Sequence, residues 1–490
     1  MQLRRAFVII LSLFLQEQAL AAPHSIRVRI SSAPATLDWN VATTGNESAI
    51  LQNLMSGLFS RSATGSPKPV LAKGFEWSAD RKDLKVTIDT KAEWSDGKKL
   101  NSSHFLDSFE RLLSPRLNSE NASLLFDVVG ARDYFLGKNK AFKTVGIEAP
   151  SPSTLVFHLK EPNANFPNIL THWATYPVRK DNLKLTLGPY LLKSKSKTKL
   201  TLQARDSELP IQTATFEVIP DGKTAIAQFR SGKIDYLLQV EDSLLGSPDL
   251  KGLPPVDYVT PTRVVALLHL NPTRILTNTP EKRRAIMQAI PVQALLQKNG
   301  FNSRFPAKTI IPPGLPGGPG PGETTSFTPV GKTSALPKES LLLGYPPNDT
   351  LAKSIAEELQ SASRDPKIII EPLPKGDRGS ASRYDLVISI FGLDYLDPDQ
   401  LLASFLSQGT HDLFNVGNPG LLQILQKARS TDSIIERSQS NHDAADYLEN
   451  KVAVVMPLFY RRRAYLLRDS CAFDAGFQGS ANLSFLRTLK

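Results

Sequence analysis

The sequence predicts an α/β protein built from more than one domain. One sign is the unit from Leu84 to Pro115, where a strand pattern passes through a turn into a helix pattern. A second is the strand-helix-strand order between Leu341 and Phe391. The third is length: with an N-terminal leader set aside, about 470 residues remain. That is too many for one core, and two to four domains are expected.

The leader is residues 1–21. Arg4-Arg5, an apolar run over Ala6–Leu15 and Ala19-Leu20-Ala21 form the three parts of a cleavable export signal. The apolar run is about half the roughly 20 residues that a membrane-spanning helix needs. Cys471 is the single cysteine, so no residue near the cleavage site can be acylated and no internal disulfide can form. A soluble, exported chain without a lipid anchor is expected, most simply in a Gram-negative periplasm; an uncleaved short anchor is the alternative.

The formal charge is +11, and removal of the leader leaves 56 basic against 46 acidic residues. A nucleic-acid binder would gather its Lys and Arg on one element. Here the densest runs are Lys193–Lys199 and Arg461-Arg462-Arg463. Both read as solvated faces, and no nucleic acid is expected.

Along the chain, Ile26, Val28 and Ile30 alternate as a first strand, and Ile50, Leu51, Leu54 and Leu58 make a helical stripe. Leu84, Val86 and Ile88 alternate with Lys85, Thr87 and Asp89 as a half-buried strand. Ser95-Asp96-Gly97 is a turn, and Asn101 caps a helix with Phe105, Phe109, Leu112 and Leu113 on one face. Ser114-Pro115 ends it, because the residue before a proline is pushed out of the α region. Val145–Leu159 holds two strands, and Lys193–Lys199 is a polar hairpin. Ala225, Ile226 and Phe229 face one side of a helix that Gly232 terminates. Val264–Asn271 has the length of a buried strand. Ile310–Gly322 is too rich in proline and glycine for regular structure. Strands at Leu341–Leu343 and Lys367–Ile370 flank a helix over Thr350–Ala362, and Tyr384–Phe391 is another buried strand. Helices are expected after Asp397-Pro398 and over Pro419–Arg429 and Asp443–Lys451, with a strand at Val454–Tyr460.

Signals for catalysis are weak. Gly222-Lys223-Thr224 and Gly331-Lys332-Thr333 lack the upstream glycine of a phosphate loop, having Glu217 and Ser326 there instead. The seven histidines show no metal-ligand spacing, and no Gly-x-Ser-x-Gly elbow is present. No enzyme, no cofactor and no metal site are expected.

Several strings resemble those of peptide-binding proteins that serve bacterial ABC importers, the extracytoplasmic solute-binding proteins of the peptide/nickel class. Trp94-Ser95-Asp96-Gly97, Leu100-Asn101, Phe105, Ser108-Phe109, Arg111-Leu112-Leu113 and Pro115 match one block, with His104 where the family often has an acid closing the helix cap. Leu37-Asp38 to Leu58, Pro69–Trp77, Leu187–Tyr190, Thr224–Tyr236 and Val454–Tyr460 resemble others. The family's aromatic N-P-x-Y-W element is missing, and Arg205–Pro210 stands there.

The resemblance implies a two-lobed periplasmic binding protein fold, hinged around a cleft, with an extra subdomain on the first lobe. Lobe I would be residues 22–68, 180–262 and 460–490, the subdomain 69–179 and lobe II 263–459. Crossing segments near Arg179–Leu187 and Val256–Arg263 would act as hinges. The implied function is capture of oligopeptides, as a monomer, for delivery to an inner-membrane ABC permease. Other small ligands (a nickel chelate, or a modified or cell-wall peptide), a sensor and an enzyme on the same scaffold are alternatives.

The site candidate follows a buried strand, where α/β ligand crevices open. By resemblance, Asp394 pairs with a peptide ammonium, beside Phe391 and Tyr395. Ile390, Phe391 and Gly392 would bond the peptide backbone from one side, and Thr43, Thr44 and Gly45 from the other. Ile388 stands where some relatives have an arginine for the peptide carboxylate, so carboxylate recognition is expected to be weak.

Overall fold

The computed structural model describes residues 25–490 except 63–65, 255–256, 259–263, 298–303, 321–322, 324, 375–377, 394, 407–411, 415–416, 475–476, 478–479 and 490. The export signal therefore lies outside the described residues.

In chain order the chain makes β1 (Ser25–Ile30) and α1 (Gly45–Leu54), then β2 (Ala72–Trp77), β3 (Asp83–Ile88) and α2 (Ser102–Leu112). β4 (Ile147–Ser151), β5 (Thr154–His158), β6 (Tyr190–Lys195), β7 (Lys199–Ala204) and β8 (Thr213–Val218) follow. Next come α3 (Gly222–Arg230), β9 (Tyr236–Val240), β10 (Asp257–Tyr258), β11 (Val264–Leu270), α4 (Pro280–Ala289) and β12 (Arg304–Pro306). The remainder is β13 (Leu341–Tyr345), α5 (Thr350–Ala362), β14 (Ile368–Pro372), β15 (Leu386–Gly392), α6 (Pro419–Arg429), α7 (Ile434–Asp446), β16 (Val455–Arg461) and β17 (Ala464–Leu467).

Two large sheets result. The first has the order β10-β17-β9-β1-β8-β7-β6, with β1 parallel to both β8 and β9. The second has the order β12-β16-β11-β15-β13-β14. The chain passes from the first to the second between β10 and β11, and returns between β16 and β17 through Arg462-Arg463. The expected hinge at Arg179–Leu187 does not join the lobes. It links the inserted unit to β6 of the first sheet, so both its ends lie on the same side of the cleft.

The inserted unit is the antiparallel sheet β2-β3-β5-β4 with α2 packed on it. Phe109 of α2 meets Phe157 of β5 edge to face, with ring centroids 5.5 Å apart. One continuous core joins this unit to one face of the first sheet, while α3 covers the other face. The second sheet has a core on each face, as a sheet clad on both sides requires.

The matched strings acquire physical reasons here. Asp235, near the end of the Thr224–Tyr236 string, accepts Arg27 Nε at 2.8 Å and pairs with Arg468 at 2.9 Å, clamping β1 to the C-terminal segment. Arg111 of α2 forks onto Asp38 and reaches Asn40 Oδ1 at 2.8 Å, so the Leu37-Asp38 string is held by the block after Trp94. Gly188 is required because a Cβ there would meet the Leu54 carbonyl carbon and Met55 nitrogen at 2.5 Å.

One expected helix differs. The segment begins at Ile434 rather than Asp443, because Ser433 caps it by accepting the Glu436 N–H. Its first turn carries the exposed Ile434 and Ile435, so no buried stripe announces it in the sequence.

Candidate functional site

A cavity of about 530 Å³ opens between the two large sheets, a size usual for small-ligand sites. Its first wall is built at strand and helix ends: Arg29 near the end of β1 and Ser31 just after it, Thr43 and Gly45 at the start of α1, and Leu238-Gln239 of β9. Facing them are Val264 at the start of β11, Gly392-Leu393 at the end of β15, and Arg461 at the end of β16. Trp173 and Tyr176 come from the inserted unit, and Arg462 and Arg463 from the returning crossover.

Thr43 and Gly45 therefore stand on one wall and Gly392 on the other. Thr44 has a separate task. Its hydroxyl accepts the Glu47 N–H, while Glu47 Oε2 accepts the N–H of both Thr43 and Thr44 at 3.0 Å. This capping box engages the N–H of Thr43 and Thr44, so of these two residues the backbone carbonyls are what remain for a ligand. Burial would raise the Glu47 carboxyl, but hydrogen bonds from Thr44, Thr43 and Thr36 hold it below its ordinary value. Glu47 thus stays ionised at the helix N-terminus, where a negative charge is favoured.

Across the cleft, strand alternation sends Ile390 toward the core that contains Ile388, and Phe391 toward the opposite core. Gly392 alone of the three borders the cavity. Tyr395 is buried and joins the core of the first lobe and inserted unit, so it pins the lobes together instead of lining the cleft. Asp394 lies outside the described residues. Ile388 is fully buried opposite Leu268, so it cannot stand in for a ligand-facing arginine.

The backbone of β15 is better suited to a ligand than its side chains. It pairs with β11 along its whole length, from Leu386 to Gly392. With β13 it pairs only at Leu386 and Val387. Beyond Val387, no described strand runs along that edge.

The arginine run at 461–463 is not a solvated face. Its three side chains are partly buried where the chain recrosses between the sheets, because a crossover at a cleft must border it. Arg461 pairs with Asp242 at 2.9 Å, and the Arg462 guanidinium lies 4.9 Å from the Phe305 ring centre. Burial, with the Arg61 charge, pushes His172 down to about 3. The neutral imidazole accepts the Ala174 N–H at Nδ1, 3.1 Å away. These basic residues gave one signal in the sequence, their run, which charge counting alone cannot place on a cleft.

Residues 66–412 match the family of bacterial extracellular solute-binding proteins, family 5. The chain belongs to that family. It is 24% identical over 443 residues to a dipeptide-binding protein of Lactococcus lactis subsp. cremoris, covering 86% of this chain and 75% of that one. It is 22% identical over 489 residues to the periplasmic murein peptide-binding protein MppA of Escherichia coli, covering 92% of this chain and 90% of the relative. The solved structure of the Escherichia coli murein tripeptide binding protein MppA superposes with a TM-score of 0.73 at 20% identity, over 95% of this chain and 98% of that one. The fold is the two-lobed α/β architecture of these binding proteins.

Proposed function

We propose that this solute-binding protein captures oligopeptides in the interlobe cleft and delivers them to an inner-membrane ABC permease. The observation that carries this reading is the half-paired β15: a peptide laid along its edge as an added strand gains backbone bonds without regard to side chains. Gly392, at the end of that strand, borders the cavity opposite Thr43 and Gly45, so a chain bound there meets both lobes. Peptide-binding relatives matched over 75% and 90% of their own length support the same reading. Residues 1–21 would export the chain to the periplasm, where it acts as a soluble monomer without a lipid anchor. No described helix is long and apolar enough to cross a membrane. The residues assigned to ligand are Thr43, Gly45, Gly392 and Asp394, and the reading contains no catalytic step.

The test is to purify the protein from its periplasm, denature it and identify by mass spectrometry what is released. A mixture of short peptides, with calorimetric rebinding of synthetic members, is the expected result. Release of a single non-peptide solute that rebinds would overturn it.

A further inference from the structure

We infer that the cleft prefers peptides carrying a large apolar side chain, aromatic above all, which Phe477 and Phe485 receive; this rests on the peptide reading above. The two rings stack with centres 3.8 Å apart and planes 16° apart, and both border the cavity. Both are partly exposed. Their neighbours in the same segment behave otherwise: Phe473, Leu483 and Leu486 are buried in the core of the first lobe and inserted unit. A pair needed only for packing would turn inward with them. At the cavity it offers an apolar face that a ligand side chain can cover.

The pair is carried on a fixed support. The Asp474 N–H donates to the Phe485 carbonyl at 2.9 Å, closing the loop that bears both rings. Asn53, at the far end of α1, holds that loop twice: Nδ2 donates to the Ala481 carbonyl and Oδ1 accepts the Leu483 N–H, each at 2.9 Å. The Tyr236 hydroxyl of β9 donates to the Ser480 carbonyl at 3.0 Å. A subsite anchored in this way loses little freedom when a ligand enters, so more of the burial appears as affinity.

The helix sets the distance between this pair and the place assigned to the peptide backbone. Gly45, Ser48, Ala49 and Gln52 border the cavity along α1, from the end opposite Gly392 to the end that holds the loop. From Gly45 to Gln52 the helix rises about 10 Å. An extended peptide advances about 3.3 Å per residue, so a chain held beside Gly45 that follows α1 brings a side chain three residues away to the pair. Trp173 and Tyr176, which also border the cavity, have other duties. Trp173 lies against His172 and donates Nε1 to the Ala42 carbonyl at 3.0 Å, and Tyr176 is buried against Gly57.

The test is calorimetry on the whole mature protein with tetra-alanine and the tetrapeptides that place one Phe among three Ala, at each position in turn. Phe should tighten binding about tenfold or more at one position or at two adjacent ones. Leu at the same position should gain less, since it lacks the ring contacts. The affinity ratio of the Phe peptide to tetra-alanine is then read in Phe477→Ala with Phe485→Ala. That ratio compares two ligands on one protein, so a change in the folded fraction cancels. It should fall toward one, and Phe477→Leu with Phe485→Leu should hold an intermediate value, which decides the matter if the alanine variant fails to fold. No gain from Phe at any position, an equal gain at every position, or an unchanged ratio in the variants would overturn the inference and leave the peptide reading standing. Release and rebinding of a non-peptide solute, with no tetrapeptide bound, would remove both.

Discussion

Nδ1 of His104 receives the indole N–H of Trp94 at 3.2 Å and, at the same distance, the backbone N–H of Asn101. A neutral imidazole thereby does the work of an acid at the third position of α2. It closes the capping box with Asn101 and satisfies the buried indole of the turn before it. The departure from the family's acid leaves the cap intact.

His104 lies below its ordinary value of 6.5, first because of burial and then because of the Arg179 charge, with Asp107, Asp181 and Asp96 opposing. Folded protein therefore binds fewer protons at this group than unfolded protein does. The contribution to stability is complete above pH 6.5 and is lost as pH falls through the depressed value. His104→Ala should cost about 1–2 kcal/mol at pH 7, the loss of a cap and of an acceptor. His104→Gln should recover part of that cost. Denaturant melts at pH 7 and pH 5 should show a smaller acid loss in His104→Gln than in the wild type. An equal loss in both would remove the histidine from the account.

A second relationship crosses the cleft. Asp397, buried before the short helix at Asp399–Ala403, accepts Asn165 Nδ2 of the inserted unit at 3.0 Å and pairs with Arg437 of α7. Arg429 forks onto Asp399 at 2.8 Å, and its carbonyl accepts the Ala164 N–H. The inserted unit is thus fastened to the second lobe through buried charges. Arg437→Met should destabilise by about 3 kcal/mol or more, since it strands an enclosed carboxylate. Arg437→Met with Asp397→Leu should regain much of that loss, because replacing a buried pair together is far milder than breaking it. A single variant as stable as the wild type would show that the pair is dispensable.

Glu449 offers a pH signature of opposite sign. It follows α7 and accepts Thr309 Oγ1 at 2.7 Å and the Ile310 N–H at 2.5 Å, holding the start of the proline-glycine loop. Burial pushes it up to about 8, against those two hydrogen bonds and with help from Asp446. The unfolded group ionises near 4.5 while the folded one keeps its proton. Stability from this group is full below pH 4.5 and drains as pH rises toward 8. Glu449→Gln preserves an acceptor and removes the titration. Its stability relative to wild type should rise by about 1 kcal/mol per pH unit between pH 5 and 8. A pH-independent difference would contradict a protonated Glu449.

The strand-turn-helix block, the hairpin at Lys193–Lys199 and the buried strands were legible because each rests on local periodicity or turn chemistry. The site was legible only in part. Thr43, Gly45 and Gly392 border the cavity because they sit at element ends, which sequence order can locate. Ile390, Phe391 and Tyr395 turn into cores, since the pleat and the packing of the chain after β15 decide which face each takes. The arginines at 461–463 were misplaced for a related reason. A run at the end of a strand looks the same whether solvent or a second lobe faces it, and that depends on contacts far away in sequence.

Backbone bonds along β15 would give a peptide affinity without fixing its register. A charge is needed for that, and the free ammonium is the positive group that unblocked peptides share. Asp394 follows Gly392-Leu393, which border the cavity, and is the carboxylate we assign to it. Removing one member of an enclosed pair costs about 2–5 kcal/mol. Asp394→Asn should therefore weaken binding of an unblocked tetrapeptide by about 30-fold or more, with the ligand-free melting temperature nearly unchanged. N-acetylation of the peptide should cause a similar loss in the wild type and little further loss in Asp394→Asn. Calorimetry on the four combinations reads the coupling directly, and acetylated peptide binding the wild type as tightly as the free amine would remove Asp394 as the anchor.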